Sequence, residues 1–151
     1  MFKIKRTTSA DADFHSLVKL LDSDLETRDG SEHSFYAQFN KIDTIKNAVV
    51  YYQNGTAIGC GAFKEYDKTT VEIKRMFVSP DLRGKGIGLK ILNELEQWAA
   101  GLNYTAGILE TGKKQPEAIA LYKKAGYTII PNFGQYATIE NSVCMKKFLQ
   151  N

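Results

Sequence analysis

The sequence predicts an α/β (α+β) fold in which helices pack against a mixed β-sheet. Short strand-like apolar segments alternate along the chain with segments whose apolar residues recur every three or four positions, as on one face of a helix. The chain has 151 residues, of which 43% are hydrophobic, enough for one domain with a sizeable core. No repeat, low-complexity segment or linker divides it. We therefore expect a single domain over residues 1–151.

The N-terminal half predicts a strand, a helix and a β-hairpin. Residues 2–7 alternate apolar and basic side chains, as in a half-buried strand. Helix-capping residues begin at Ser9, and apolar residues then follow at helical spacing: Phe14, Leu17, Val18, Leu21 and Leu25. Residues 27–34 predict a loop, and the ambiguous residues 34–46 are interpreted as a short helix. Strands at 48–53 and 56–66 are joined by Asn54-Gly55, a strong hairpin signal.

The C-terminal half predicts two helices between strands. A strand at 70–78 is closed by Pro80 and followed by a glycine-rich turn and a helix that ends at Gly101. A strand at 104–110 leads to a helix at 115–125, with Pro116 in its first turn. Strands at 127–130 and 143–148 close the chain. The order β-α-(α)-β-β-β-α-β-α-β-β predicts a mixed sheet with helices packed on it.

Composition and charge exclude several classes of protein. No segment approaches the run of about 20 apolar residues that a membrane span needs, and the N-terminus lacks the apolar segment of a secretory signal. The net charge of +3 comes from dispersed lysines, so no nucleic-acid partner is expected. Cys60 and Cys144 have no metal-ligand spacing and stand in apolar segments. We expect buried thiols, no metal, no membrane partner and a cytoplasmic location.

The glycine-rich turn predicts an anion-binding site. It reads Arg83-Gly84-Lys85-Gly86-Ile87-Gly88, with glycine at alternate positions between a strand and a helix. Backbone without side chains can approach a ligand closely, and the N–H groups and dipole of a helix N-terminus attract phosphate oxygens. A tight connection that binds nothing is the alternative. The turn does not match the Walker loop, and it misses the dinucleotide fingerprint by one residue, although Glu110 follows where a ribose-binding acid would stand.

Around this turn the sequence resembles the GNAT superfamily of acetyl-CoA-dependent N-acetyltransferases. The family signature is Gln or Arg, two residues, Gly, one residue, then Gly or Ala, and the turn satisfies it. Residues 76–80, Met-Phe-Val-Ser-Pro, and residues 117–127, Glu-Ala-Ile-Ala-Leu-Tyr-Lys-Lys-Ala-Gly-Tyr, also match family patterns. One departure is Gln115, where many members carry Asn, but an amide is retained.

The resemblance implies two splayed parallel central strands, 70–78 and 104–110, with acetyl-CoA between them as co-substrate and no metal. Backbone groups of Met76 and Val78 would pair with the pantetheine arm, and the amides of residues 84–88 would bind the pyrophosphate. The predicted cofactor-binding residues are Met76, Phe77, Val78, Arg83, Gly84, Lys85, Gly86, Ile87, Gly88 and Gln115.

The first of these strands changes the parity of its apolar positions. Val71 and Ile73 share one parity, and Met76 and Val78 share the other. A regular strand keeps one parity for each face. The switch therefore predicts either a β-bulge, which the family has in this strand, or a strand buried on both faces.

Two glutamates are candidates for the general base. Glu72 lies 11 residues before Arg83, where several family members place a catalytic glutamate. An amine with a pKa near 10 is mostly protonated at pH 7, so a carboxylate acting through water would receive its proton. The alternative for Glu72 is a solvated strand charge paired with Lys74. Glu110, at the end of the second splayed strand, would orient the cationic amine or serve as the base.

Tyr122 is the candidate general acid, because many members place a tyrosine there whose hydroxyl reaches the CoA sulfur. Its alternative is an aromatic residue on a buried helix face. Tyr136, in a loop that would cover the acceptor pocket, is a substrate-contact candidate, and residues 26–34 would form the opposite wall. His15 and His33 are interpreted as surface residues and Trp98 as core.

These residues predict an N-acetyltransferase that moves an acetyl group directly from acetyl-CoA to a primary amine of a small molecule or peptide. The alternative is a non-catalytic acyl-CoA-binding regulatory module on the same fold, which would not need Glu72, Glu110 and Tyr122. The acceptor itself is not readable from the sequence. The C-terminal strand offers an edge for pairing with a second copy, which would give a homodimer.

Overall fold

In the computed structural model, which describes residues 1–29 and 45–150, seven strands form one sheet. In chain order they are β1 (Phe2–Thr7), β2 (Asn47–Gln53), β3 (Thr56–Asp67), β4 (Thr70–Val78), β5 (Ala106–Gly112), β6 (Thr128–Ile130) and β7 (Ser142–Phe148). Across the sheet the order is β1-β2-β3-β4-β5-β7-β6. The β4–β5 pair is parallel and the other pairs are antiparallel. The predicted mixed and mostly antiparallel sheet is therefore confirmed.

Three α-helices cover the two faces of this sheet within the described ranges. They are α1 (Ala12–Asp29), α2 (Ile87–Gly101) and α3 (Pro116–Lys124). The apolar face of α1 packs on one side of the sheet, against residues such as Ala48 and Val50. The helices α2 and α3 pack on the other side, against Val49 and Tyr51 among others. Alternate residues of β2 thus enter opposite cores, which explains its continuous apolar run.

The end of α1 differs from the sequence-based expectation. The predicted loop at 27–34 is wrong for residues 27–29, which continue the helix to Asp29. No glycine or proline precedes Gly30, so nothing in the local sequence ends the helix earlier. Residues 30–34 of that loop, residues 34–44 of the helix predicted at 34–46, and His33 lie outside the described residues, and the last two residues of that predicted helix, Ile45 and Lys46, are not helical.

The C-terminal strand is not the free edge that the sequence suggested. β7 pairs with β5 along its length and with β6 at Cys144, Met145 and Lys146. The edges of the described sheet are β1 and β6. Pairing of a second copy along the full length of β7 would have to displace one of its neighbours, and the homodimer itself stays a prediction.

A bulge in β4 and a fork between β4 and β5 shape the centre of the sheet. Cys60 pairs with Phe77 but Ala62 pairs with Lys74, so β4 carries an extra residue at this point. Both alternatives for the parity switch hold, because the strand is bulged and is also buried on both faces. Pairing between β4 and β5 ends at Ile73 and Leu109, and the strands are splayed beyond that pair, as expected.

Candidate active site

The glycine turn presents backbone to open space. Gly84 and Gly86 have φ of +80° and +82°, in the left-handed region that favours glycine, and a Cβ built on either would meet no protein atom within 4 Å. Gly86 caps α2, whose first backbone bond runs from Lys90 N–H to the Gly86 carbonyl. The N–H groups of residues 87–89 therefore point out of the helix end, where they can bind an anion.

Gly88 has a different role from the other two glycines. A Cβ at this position would lie 3.1 Å from Leu121 Cδ2, so the missing side chain lets α2 and α3 pack closely. Of the three glycines of the turn, Gly84 and Gly86 are the two whose backbone conformation favours glycine. The alternating pattern thus combines an open turn with a tight helix contact.

A cavity of about 420 Å³ lies between the turn, the end of β4 and α3. Nine of the ten predicted cofactor-binding residues line it, and the exposed Lys85 does not. Ser79 N–H donates to the Ile58 carbonyl of β3. Because peptide groups alternate in direction along a strand, those of Met76 and Val78 face the other edge of β4, toward this cavity.

Arg83 lines this cavity and contacts three other residues of the protein. Its Nε donates to the Val78 carbonyl at 2.8 Å, and a terminal nitrogen lies 3.5 Å from Asp24 Oδ2 of α1. Its guanidinium also lies 5.5 Å from the centre of the Phe77 ring. The cation predicted to meet phosphates therefore also joins α1 to the end of β4.

A second cavity of about 110 Å³ adjoins the first on the α1 side of the fork. Glu72 and Glu110 both line it, because they flank Ile73 and Leu109 and point away from the core beneath α2. Leu21 and Leu25 of α1 close it from the other side. Side chains of residues 26–34, predicted to form this wall, lie outside the described part.

Tyr122 lines both cavities and so stands where they meet. Tyr122 is 6% exposed, and its ring packs edge-on against the Tyr127 ring, with the two ring centroids 6.0 Å apart. Burial, and then the negative charge of Glu110, raise the pKa of the Tyr122 hydroxyl above its ordinary value near 10. The hydroxyl is therefore protonated at neutral pH and is available as a donor.

The two glutamates have different neighbours. Glu72 Oε2 lies 3.6 Å from Lys74 Nζ, and each of these side chains is 5% exposed. The pairing with Lys74 that the sequence suggested is present, but it is buried rather than solvated. Burial lowers the pKa of Lys74, and the charge of Glu72 opposes that change. Glu110 Oε2 accepts a hydrogen bond of 2.8 Å from the Ser142 hydroxyl.

Tyr136 interacts electrostatically with both carboxylates, those of Glu110 and Glu72. It is 1% exposed and lines the smaller cavity, and its role as a substrate contact stays a prediction. Burial, and then the charges of Glu110 and Glu72, raise the pKa of its hydroxyl. The smaller cavity thus gathers two carboxylates and two tyrosine hydroxyls, groups that can bind an amine and move its proton.

Sequence reasoning did not single out Arg75, a charged residue in the wall of this cavity. Arg75 lies in the bulge of β4, has φ of +61° and is buried. The apolar parity of the strand changes between Ile73 and Met76, so the sequence indicated an irregularity near Arg75. It did not indicate the direction of the Arg75 side chain. The other minor expectations hold for the described residues: His15 is exposed, Trp98 packs against the core, and both cysteines are buried and free.

Two further observations concern the described residues only. None of the helices there is both long and apolar enough to cross a membrane. No group of three or more His, Cys, Asp or Glu side chains in that part of the chain could hold a metal ion.

Comparison with known proteins gives one family. The model of the Acetyltransferase (GNAT) family matches residues 14–127. An IAA acetyltransferase of Azospirillum brasilense is 39% identical over 100 residues, which cover 66% of this chain and 65% of that protein. The uncharacterized N-acetyltransferase YsnE of Bacillus subtilis is 36% identical over 93 residues, covering 60% and 62%. The chain thus spans slightly under two thirds of these relatives.

Solved structures give the same fold. A putative acyl-CoA N-acyltransferase from Klebsiella pneumoniae superposes with a TM-score of 0.83 at 34% identity, covering 99% of each chain. A GNAT family acetyltransferase from Elizabethkingia anophelis, solved with acetyl-CoA bound, has a TM-score of 0.72 at 20% identity and covers 98% of each chain. At that identity the second match supports the fold alone.

Proposed function

The chain belongs to the GNAT family of acetyltransferases, and we propose that it transfers the acetyl group of acetyl-CoA directly to a primary amine of a small molecule or peptide. The observation that carries this proposal is the pair of adjoining cavities that share Tyr122 in their walls. One offers helix N–H groups and a free strand edge, and the other offers two carboxylates. Bound acetyl-CoA would supply the thioester at the junction.

The residues of the larger cavity fit this co-substrate. The open space over Gly84 and Gly86 leaves room for a pyrophosphate against the N-terminus of α2. The Met76 peptide groups and the Val78 N–H face away from β3 and can bind the amide-bearing pantetheine arm as an added strand would, while the Val78 carbonyl accepts from Arg83 Nε. Gln115 lines both cavities and can contribute a further amide.

In the smaller cavity, Glu72 is the proposed general base and Glu110 its alternative. The acceptor amine arrives as an ammonium, and a carboxylate attracts it and takes its proton directly or through one water. Glu72 shares its environment with Lys74, whereas Glu110 is oriented by the Ser142 hydroxyl. We assign proton removal to Glu72 and orientation of the amine to Glu110.

Tyr122 is the proposed general acid. A hydroxyl whose pKa is raised by burial stays protonated and can donate a hydrogen bond to negative charge that develops beside it. The leaving thiolate carries such a charge, and a donor positioned there stabilises it. The place of Tyr122 in both cavities supports this role, because the thioester has to meet the amine there.

A measurement of thiol release from acetyl-CoA across a panel of primary amines tests the proposal. IAA is tested beside that panel as a separate compound because of the name of the Azospirillum relative. Amine-dependent release of CoA, with the acetylated amine as product, is the expected result. Protection against thermal unfolding by CoA without turnover on any acceptor would instead favour the non-catalytic acyl-CoA-binding regulatory module.

A further inference from the structure

Arg75 is a buried cation in the wall of the smaller cavity. The residue is 8% exposed and forms part of the β4 bulge. Its φ of +61° is a conformation that costs energy for any residue with a Cβ. Such strain persists only where the surrounding structure enforces it, and it is concentrated at ligand-binding sites. The bulge therefore holds the arginine at this wall at an energetic cost.

Within the described residues, one enclosed donor of this guanidinium is unused. A guanidinium has five N–H donors, and one nitrogen of Arg75 pairs with Asp22 Oδ1 of α1 at 3.3 Å. Its Nε is enclosed and has no hydrogen-bond partner among the described residues. An enclosed donor without an acceptor destabilises the protein, and an oxyanion bound in the cavity would supply the missing acceptor.

The single ion pair compensates the charge of Arg75 only in part. The Asp22 side chain is 50% exposed, so water screens its attraction for the guanidinium. Burial lowers the pKa of Arg75, and the charge of Asp22 does not fully oppose that change. A carboxylate bound in the cavity would therefore supply compensation that the exposed Asp22 does not.

Negative groups of the same cavity lie near this cation. Glu72 and Glu110 line the cavity with Arg75, and Tyr136 is close enough to interact electrostatically with all three. A ligand that carries both an ammonium and a carboxylate would therefore find a partner for each charge. The cavity, at about 110 Å³, is somewhat smaller than the roughly 150 Å³ that holds a benzene molecule, which suits the compact charged end of a small molecule.

We propose that the acceptor is a primary amine that also carries a carboxylate, as an amino acid does, and that Arg75 binds this carboxylate. The proposal rests on the acetyltransferase function proposed above and narrows its substrate class. The planar fork of a guanidinium matches the two oxygens of a carboxylate. When Arg75 binds the carboxylate of the acceptor, the amine of the acceptor is available to Glu72 and Glu110. A purely structural Arg75, which only ties the bulge to α1, is the competing explanation.

The test uses pairs of acceptors that differ only in the carboxylate. Each common L-amino acid is compared with the primary amine that remains when its carboxylate is removed, by steady-state kinetics with acetyl-CoA. In the best pair, the wild-type protein should have a kcat/KM for the amino acid that is at least roughly tenfold higher. Arg75→Gln should lower that value roughly 10- to 100-fold, mainly through KM, and leave the value for the partner amine nearly unchanged.

Asp22→Asn is the matched control, because it removes the ion pair to α1 and keeps the arginine. It should preserve the preference for the amino acid. If Asp22→Asn and Arg75→Gln lower activity on both acceptors alike, the arginine is structural and the proposal is overturned. Binding of CoA verifies that each variant is folded. If Arg75→Gln does not fold, the wild-type preference for the amino acid and the kinetics of Arg75→Lys still decide whether Arg75 binds the carboxylate.

Two outcomes separate this inference from the function on which it rests. Turnover that is equal on both members of each pair, or limited to amines without a carboxylate, overturns the inference and leaves the acetyltransferase in place. CoA binding without turnover on any amine overturns the acetyltransferase function, and the inference with it.

Discussion

Ile73 lies opposite Leu109 in the last parallel pair between β4 and β5. Glu72 precedes the first of these residues and Glu110 follows the second, so both carboxylates stand within one residue of the fork. Because side chains alternate along a strand, Ile73 and Leu109 enter the core beneath α2 while the two glutamates face α1. The splaying of one strand pair thus creates the cleft and also places charged groups at its closed end.

The first prediction concerns the glycine turn. Gly86→Val should lower the affinity for CoA roughly 10- to 100-fold, because a side chain at this wall of the larger cavity keeps phosphate oxygens from the helix N–H groups. Isothermal titration with CoA measures the effect.

Gly55→Val is its matched control. Gly55 has φ of +84° and open space around its Cβ position, as Gly86 does, but it lies in the β2–β3 hairpin. Both variants should lose about 1–3 kcal/mol of unfolding free energy from backbone strain. Unchanged CoA affinity in Gly86→Val, or an equal loss in Gly55→Val, would argue against a phosphate site at the turn.

Local signals predicted most elements of the fold. Asn54-Gly55 forms the hairpin between β2 and β3, and both residues have the positive φ that its turn requires. The predicted strand at 70–78 matches β4, and Gly101 ends α2 as expected. Each of these features depends on the conformational preferences of a few neighbouring residues, which a sequence carries directly.

Features that depend on distant pairing could not be predicted from the sequence. The position of β7 between β5 and β6 is determined by contacts across the sheet, and the local sequence of β7 does not indicate it. The strained backbone of Arg75 likewise depends on the pairing of β3 with β4 on either side of the bulge. The sequence could therefore name Glu72, Glu110, Tyr122 and Tyr136 as candidates, but not the cation that shares their cavity.

The second prediction concerns stability away from the two cavities. Glu96 is buried and accepts hydrogen bonds from the Tyr127 hydroxyl at 3.0 Å and from Lys147 Nζ at 2.8 Å. Lys147→Met should therefore lower the free energy of unfolding by about 1–3 kcal/mol, because the carboxylate loses its cationic partner. Urea denaturation measures the loss.

The neighbouring Lys146→Met serves as the control for that variant. Lys146 is half-buried and lies 4.9 Å from the centre of the exposed Phe148 ring, so its removal should change the unfolding free energy by no more than about 0.5 kcal/mol. Equal losses in the two variants would show that the Glu96 pair contributes nothing specific.

The third prediction assigns the base. Glu72→Gln should reduce turnover about 10²–10⁴-fold at neutral pH, the usual contribution of a general base. The loss should shrink as alkaline pH deprotonates the amine without help, since an ordinary amine has a pKa near 10. Glu110→Gln should raise KM for the acceptor more than it lowers kcat. Full activity of Glu72→Gln at neutral pH would move the base to Glu110 or to no side chain.

The last prediction assigns the acid. Tyr122→Phe should lower kcat with little change in CoA affinity, because only the developing thiolate loses a donor. Since burial raises the pKa of Tyr122 above its ordinary value near 10, the wild-type hydroxyl stays protonated through the alkaline range that rescues Glu72→Gln. Raising the pH should therefore leave the Tyr122→Phe defect in place. Tyr127→Phe, whose ring lies 6.0 Å away but whose hydroxyl bonds Glu96, should lose stability and keep its kcat. Equal kcat in Tyr122→Phe and wild type, or alkaline rescue of the variant, would contradict the assignment of the proton donor.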